Sequence, residues 1–187
     1  HTKQIGEGIM ENFCIANPNF KAISLRYFNP AGAHVSGLNG ELPIGKPGNL
    51  VPAITQCAAG KFESMTVHGN DYDTRDGSCI RDYIHVTDIA DAHIQAFELL
   101  NNKKEGFYKV YNLGTGKGIS VLEAINSFEK VSKQKLNYQI GPRRPGDVVQ
   151  IYANNNLAKS ELNWNPKFGI DEIMATAWKW EENLKNQ

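Results

Sequence analysis

Two arginines on a stiffened turn carry the clearest chemical signal. In Gly141-Pro-Arg-Arg-Pro-Gly-Asp147, Arg143 and Arg144 stand between prolines and glycines. Guanidinium forks are planar, bidentate donors suited to phosphate, and a short turn presents them without a long flexible reach. The bland alternative is a solvated surface pair. Arg81, beside Asp82 and Tyr83, is either a further phosphate donor or the salt-bridge partner of Asp82 or a loop carboxylate. Gly114-Thr-Gly-Lys-Gly118 invites a dinucleotide reading, but the fingerprint needs glycine where Ile119 stands, and no acidic residue ends a strand about 20 residues on. A turn feeding a capped helix accounts for it better. The acidic loop Asp71, Asp73, Asp76, Gly77 opens like a calcium loop, yet Arg75 and Asp82 occupy positions where an EF-hand needs an oxygen ligand and a glutamate. The five histidines show no ligand spacing, His93 reads as a satisfied core residue on a helix face, and no metal is expected.

Such groups need a scaffold, and the composition supports one. The chain has 187 residues, 41% hydrophobic, with 20 Lys+Arg against 20 Asp+Glu. A chain this long buries roughly 70% of its unfolded surface, enough for a core without staples. Zero net charge argues against nucleic acid or an anionic membrane as partner, since both are met by a basic field. Cys14, Cys57 and Cys79 are odd in number and far apart, so neither a disulfide framework nor a zinc site is indicated and a reducing cytoplasm is expected. No apolar stretch approaches the ~18 to 20 residues that span a bilayer. His1 leads straight into a helical pattern, so the chain reads as a piece of something longer.

The positioning elements follow from periodicity. Ile5, Ile9, Met10, Phe13 and Cys14 fall on one face of a helix from Lys3 to about Ala16, and Ala22 to Phe28 reads as a buried strand. The Gly- and Pro-rich stretch 29–49 is too long for an idle loop and is expected to be functional. Pro52 and Gly60 bracket the next helix, a strand runs from Met65 to His68, and Ile80 to Val86 forms another. That strand enters a helix expected to be capped by Thr87 or Asp88, with Ile89, Ala92, His93, Ala96 and Phe97 inward. Strands are expected at 109–113, 136–140 and 148–152. Ser120 and Glu123 form a capping box, and helices at 156–162 and from Asp171 close the chain. The fold class is α/β.

Taken in order, Tyr27-Phe-Asn-Pro-Ala-Gly-Ala-His34, Gly48-Asn-Leu50, His68-Gly-Asn-Asp-Tyr-Asp-Thr-Arg-Asp-Gly77, Arg81-Asp-Tyr-Ile-His-Val-Thr-Asp88, Tyr111-Asn-Leu-Gly-Thr-Gly116 and Arg143-Arg-Pro-Gly-Asp147 resemble successive blocks of the UDP-glucose 4-epimerases, extended short-chain dehydrogenases. The resemblance covers essentially the whole chain and corresponds to the family's C-terminal half. It implies the last part of a Rossmann-type parallel sheet plus a smaller α/β domain. Residues 1–30, with a return around 80–115, would belong to the NAD-binding domain, and 31–187 mainly to the UDP-sugar domain.

The resemblance further implies NAD as cofactor, UDP-glucose and UDP-galactose as ligands, and a homodimer in the full-length protein. His1-Thr-Lys3 matches the end of a Tyr-x-x-x-Lys pair, which makes Lys3 catalytic and a ligand of the nicotinamide ribose. Tyr27 and Phe28 would flank the nicotinamide. Asn29, Asn49 and Leu50 match UDP-sugar contacts, and Arg81, Tyr83, Arg144 and Asp147 match diphosphate and ribose positions. His68 stands where the family usually has an aromatic against uracil, and Ile151 where side-chain bulk bears on N-acetylhexosamines. Another nucleotide-sugar epimerase or dehydratase, or a non-catalytic UDP-sugar-binding module, are the alternatives.

Overall fold

The computed structural model describes residues 1–103 and 105–185. Its organising feature is that strands pair in parallel with partners far along the chain. β1 (Lys21–Tyr27) lies beside β6 (Phe107–Leu113), β2 (Asn29–Ala31) beside β5 (Tyr83–His85), and β3 (Met65–His68) beside β8 (Tyr138–Gly141). β4 (Ile80–Arg81) is flanked by parallel β9 (Gln150–Ile151) and antiparallel β7 (Ile119–Ser120). Parallel strands require crossovers, and the helices supply them: α1 (Thr2–Ala16), α2 (Leu50–Ala58), α3 (Val86–Asn101), α4 (Val121–Ser132), α5 (Asn156–Glu161) and α6 (Ile170–Lys185). The α/β class is as expected.

Apolar side chains gather in two clusters. One, around Ile54, Phe128, Ile173, Met174 and Trp178, is built by α2, α4 and α6 over β3. The other, around Ile84, Ala92, Tyr111, Leu113 and Trp164, seats α3 and the α5 segment against β1 and β6. The chain passes from one strand pair to the next at Phe28. Its N–H donates to Leu113 on β6, and the next N–H, of Asn29, donates to Asp82. Ligands of open α/β sheets gather at the carboxyl ends of strands where such a change of partner opens a crevice.

Several local expectations are corrected. α3 is capped by His85, whose Nδ1 accepts from Thr87 N–H at 3.1 Å, and not by Thr87 or Asp88. Asp88 is committed elsewhere, its carboxylate accepting the N–H groups of Lys167 and Phe168. His93 is exposed rather than a core residue, bonded to Tyr27 Oη at 2.7 Å and to the Ile89 carbonyl at 2.8 Å, and Phe97 is 64% exposed. On α1 only Cys14 is buried, while Ile5, Ile9 and Phe13 face outward. The 29–49 stretch contains a short strand, β2. The Ser120–Glu123 capping box forms as expected.

Candidate functional site

A cavity of about 1150 Å³ opens past the end of β1, along β2 and β3. Phe28, Asn29, Asn49, Leu50, His68, Arg81, Tyr83, Arg144 and Asp147 all line it, so segments separated by more than a hundred residues converge there. Each is delivered by a framed element. Asn29 and Tyr83 are register partners on β2 and β5, Asn49 and Leu50 open α2, and His68 ends β3 beside Gly141. Tyr83 is buried, and desolvation pushes its phenol well above the ordinary tyrosine range, so it serves as a neutral wall.

Charge concentrates around Asp147. Its carboxylate accepts from Arg144 at 2.8 and 3.2 Å, and Arg81 approaches to 3.5 Å. Arg81 also donates to the carbonyls of Ile80 and Val148, which fixes its fork while it remains only 15% exposed. Two cations therefore share one carboxylate, leaving a net positive locus suited to an anion with more than one charge. Arg143 is employed differently: it binds Asp71 at 2.8 Å and stacks on the Tyr72 ring at 4.2 Å, bracing the 69–78 loop. The paired arginines of the turn thus split into one that faces the cavity and one that holds the wall.

Three of the expected residues lie outside this lining. Lys3 is exposed in the first turn of α1, Tyr27 is 45% exposed beside His93, and Ile151 is 45% exposed on β9 opposite Arg81. Tyr27 is adjacent to Phe28, which does reach the cavity.

Sequence reasoning missed Asp82. It is fully buried, and its carboxylate accepts from Thr115 N–H, Thr115 Oγ1, Gly116 N–H and Ala153 N–H at 2.6 to 3.1 Å. The Gly114-Thr-Gly116 turn is therefore an anion cradle whose anion comes from the chain itself. Gly114 must lack a side chain because a Cβ there would stand 2.5 Å from Asp82 Oδ2. The signal was present as a charged residue within an apolar strand run, next to an unexplained Gly-x-Gly.

The described residues also include no helix long and apolar enough to cross a membrane. Comparison with known proteins places the site in context. The family described as GDP-mannose 4,6 dehydratase matches residues 1–177. UDP-glucose 4-epimerase of Erwinia amylovora is 51% identical over 180 residues, 96% of this chain and 53% of that protein. The UDP-glucose 4-epimerase of Drosophila melanogaster is 44% identical over 99% of this chain and 53% of its own length. Among solved structures, a UDP-glucose 4-epimerase from Bifidobacterium longum, in complex with NAD+ and UDP, superposes with a TM-score of 0.91 at 44% identity, covering 98% of this chain and 54% of that one. A Stenotrophomonas maltophila UDP-glucose 4-epimerase with bound NAD and formylated UDP-arabinopyranose gives 0.95 at 40% identity, covering 99% and 55%. The chain thus spans about half the length of the relatives it matches.

Proposed function

The chain belongs to the GDP-mannose 4,6 dehydratase family, and on that premise we propose that it is the substrate-holding half of a UDP-glucose 4-epimerase, interconverting UDP-glucose and UDP-galactose. The observation that carries the reading is the convergence of Arg81, Arg144 and Asp147 with Asn29, Asn49 and His68 on one cavity. Arg81 and Arg144 take the diphosphate, Asp147 accepts from ribose hydroxyls once the diphosphate draws the arginines, and His68 lies against the uracil. Asn29, Asn49 and Leu50 meet the sugar side, Tyr83 backs the diphosphate, and Ile151 bears on the room left for an N-acetyl group. Held at base and diphosphate, the hexose is free to turn over within the cavity.

The residues fit NAD at its nicotinamide end only. Tyr27 and Phe28 offer aromatic surface at the end of a parallel strand, and the exposed Lys3 ammonium suits ribose hydroxyls. The Gly114-Thr-Gly116 turn does not fit the cofactor's pyrophosphate, because Asp82 fills it. When bound, NAD+ supplies a hydride acceptor for C4 of the hexose and the donor that reduces the 4-keto sugar again. Lys3 is the catalytic residue this chain adds, a cation that lowers the pKa of a neighbouring phenol. Residues 1–30, with the return at 80–115, serve the cofactor side and 31–187 mainly the UDP-sugar side. The full-length protein is proposed to be a cytoplasmic homodimer, with α1 contributing its outward Ile5, Ile9 and Phe13 to the contact.

The test is conversion of UDP-galactose by the full-length protein with NAD+, alongside this chain alone. Turnover by the former and none by the latter is expected. Turnover of UDP-glucuronate but not UDP-galactose by the full-length protein would favour a different nucleotide-sugar epimerase.

A further inference from the structure

Asn49 occupies the N-cap of α2 yet does not cap it. An N-cap asparagine ordinarily turns its side-chain oxygen back onto the N–H of the second or third helical residue. Here the third helical residue is Pro52, which has no N–H to give. The side chain turns instead to the 29–49 stretch, where its Nδ2 donates to Glu41 Oε1 at 2.7 Å. An amide whose nitrogen is held by a carboxylate has its other end, the carbonyl oxygen, left as an acceptor. Both residues line the cavity.

Glu41 is itself secured from below. Its backbone carbonyl accepts from Trp180 Nε1 on α6 at 3.0 Å. The indole lies so close under Gly40 that a Cβ there would meet the ring at 2.5 Å. An element of the first apolar cluster therefore sets the height of Glu41, and Glu41 sets the rotamer of Asn49.

We propose that Glu41 is a positioning residue that locks the Asn49 amide with its carbonyl oxygen toward the bound nucleotide sugar, where it accepts from a ligand hydroxyl. This deepens the proposed function and rests on it. Without Glu41 the amide is free to rotate and to present N–H₂ to the same hydroxyl, so part of the ligand's hydrogen bonding is lost on average. The contact is a binding contact and not one made to the reacting C4, so the effect is expected on KM more than on kcat.

The experiment titrates UDP-glucose into the full-length protein and its variants by calorimetry. Glu41→Ala is expected to weaken binding about 3- to 10-fold, the range of one hydrogen bond. Glu41→Gln, which keeps an acceptor for Asn49 Nδ2, should stay within about twofold of wild type on the same ground. The double variant Glu41→Ala/Asn49→Ala should bind no worse than Asn49→Ala alone, since the two act through one contact. Additive losses, or a glutamine no better than alanine, would overturn the proposal. Should Glu41→Ala lower the melting temperature, Trp180→Phe removes only the indole tether and should reproduce a smaller loss that is absent in the Asn49→Ala background. The Asn49 side-chain amide resonances supply a readout that needs no ligand: a shift in Glu41→Ala but not in Glu41→Gln is expected, and unchanged resonances in both refute the lock. Failure of the wild-type protein to bind UDP-sugar, with the amide shift still present in Glu41→Ala, would sink the functional reading and leave the lock standing.

Discussion

Replacing Arg144 by alanine in the full-length protein should weaken UDP binding about 2- to 100-fold and leave uridine binding almost untouched. The magnitude comes from what the guanidinium surrenders as well as what it gains. Without ligand it is paired with Asp147, and its side chain is 58% exposed. Exposed ion pairs are worth about 0.2–1 kcal/mol. Charge-assisted bonds to a diphosphate are worth about 1.5–3 kcal/mol. The difference, about 0.5–2.8 kcal/mol, is the stated range in Kd. The loss is bounded because Arg81 stays, fixed by two backbone carbonyls although it shares Asp147 with Arg144. Calorimetric titration of UDP and of uridine at one ionic strength measures both arms, the control on salt being needed because exposed charges are screened. Arg144→Lys should recover only part, since a point charge does not reproduce the fork. Equal losses for UDP and uridine would refute the reasoning: Arg144 would then support the wall, and the diphosphate would be held elsewhere.

Asp82→Asn should lower the melting temperature by roughly 10 °C, because turning one buried oxygen into N–H₂ breaks charge-assisted bonds from Gly116 and Ala153 worth about 3–5 kcal/mol together, at about 2–4 °C per kcal/mol. Gly114→Ala, which drives a methyl against the same carboxylate, should melt comparably early, and a wild-type melt for both would show that the cradle is idle. Burial pushes the His85 imidazole below its ordinary value, its Nε2 near Thr176 Oγ1 and its ring on Phe168. The native state keeps it neutral while the unfolded chain takes up a proton near pH ~6.5, so its contribution is complete above that pH and is lost as pH falls below it toward the folded value. Between pH 8 and 5.5, wild type should lose more thermal stability than His85→Gln, which cannot take a proton. Parallel pH profiles would count against this.

Local rules served well where the answer was local. The Ser120–Glu123 box needs only its own four residues, and Pro52 in the first turn of α2 reads directly as a helix start. They failed where a distant segment outbid the neighbour. Asp88 looks like a cap from either side along the chain, but residues 167 and 168 claim it from across the fold. Periodicity correctly grouped Ile5, Ile9 and Phe13, yet it says which residues share a face, not which face meets the core of this chain. The site shows the same division. Arg144 was legible as a charge on a turn and Arg81 as one on a strand, and both line the cavity, whereas Arg143 does not. The Asp82 cradle and the Glu41–Asn49 lock depend on side-chain contacts between loops that no spacing rule exposes.

Parallel pairing between remote strands also dictates an order in time. Lys21 of β1 pairs with Phe107, and Met65 of β3 with Tyr138. At a synthesis rate of about 5–20 residues per second, β1 leaves the ribosome on the order of 4 to 17 seconds before its partner is made. Until then the β6 edge of β1 is unpaired, although β2 and β5 are both made within that interval. The cavity is later still, because Arg144 and Asp147 are among the last of its parts to emerge. A nascent chain that has completed the lining has therefore already made β1 to β8, and only β9 among the strands of the described residues is still to come.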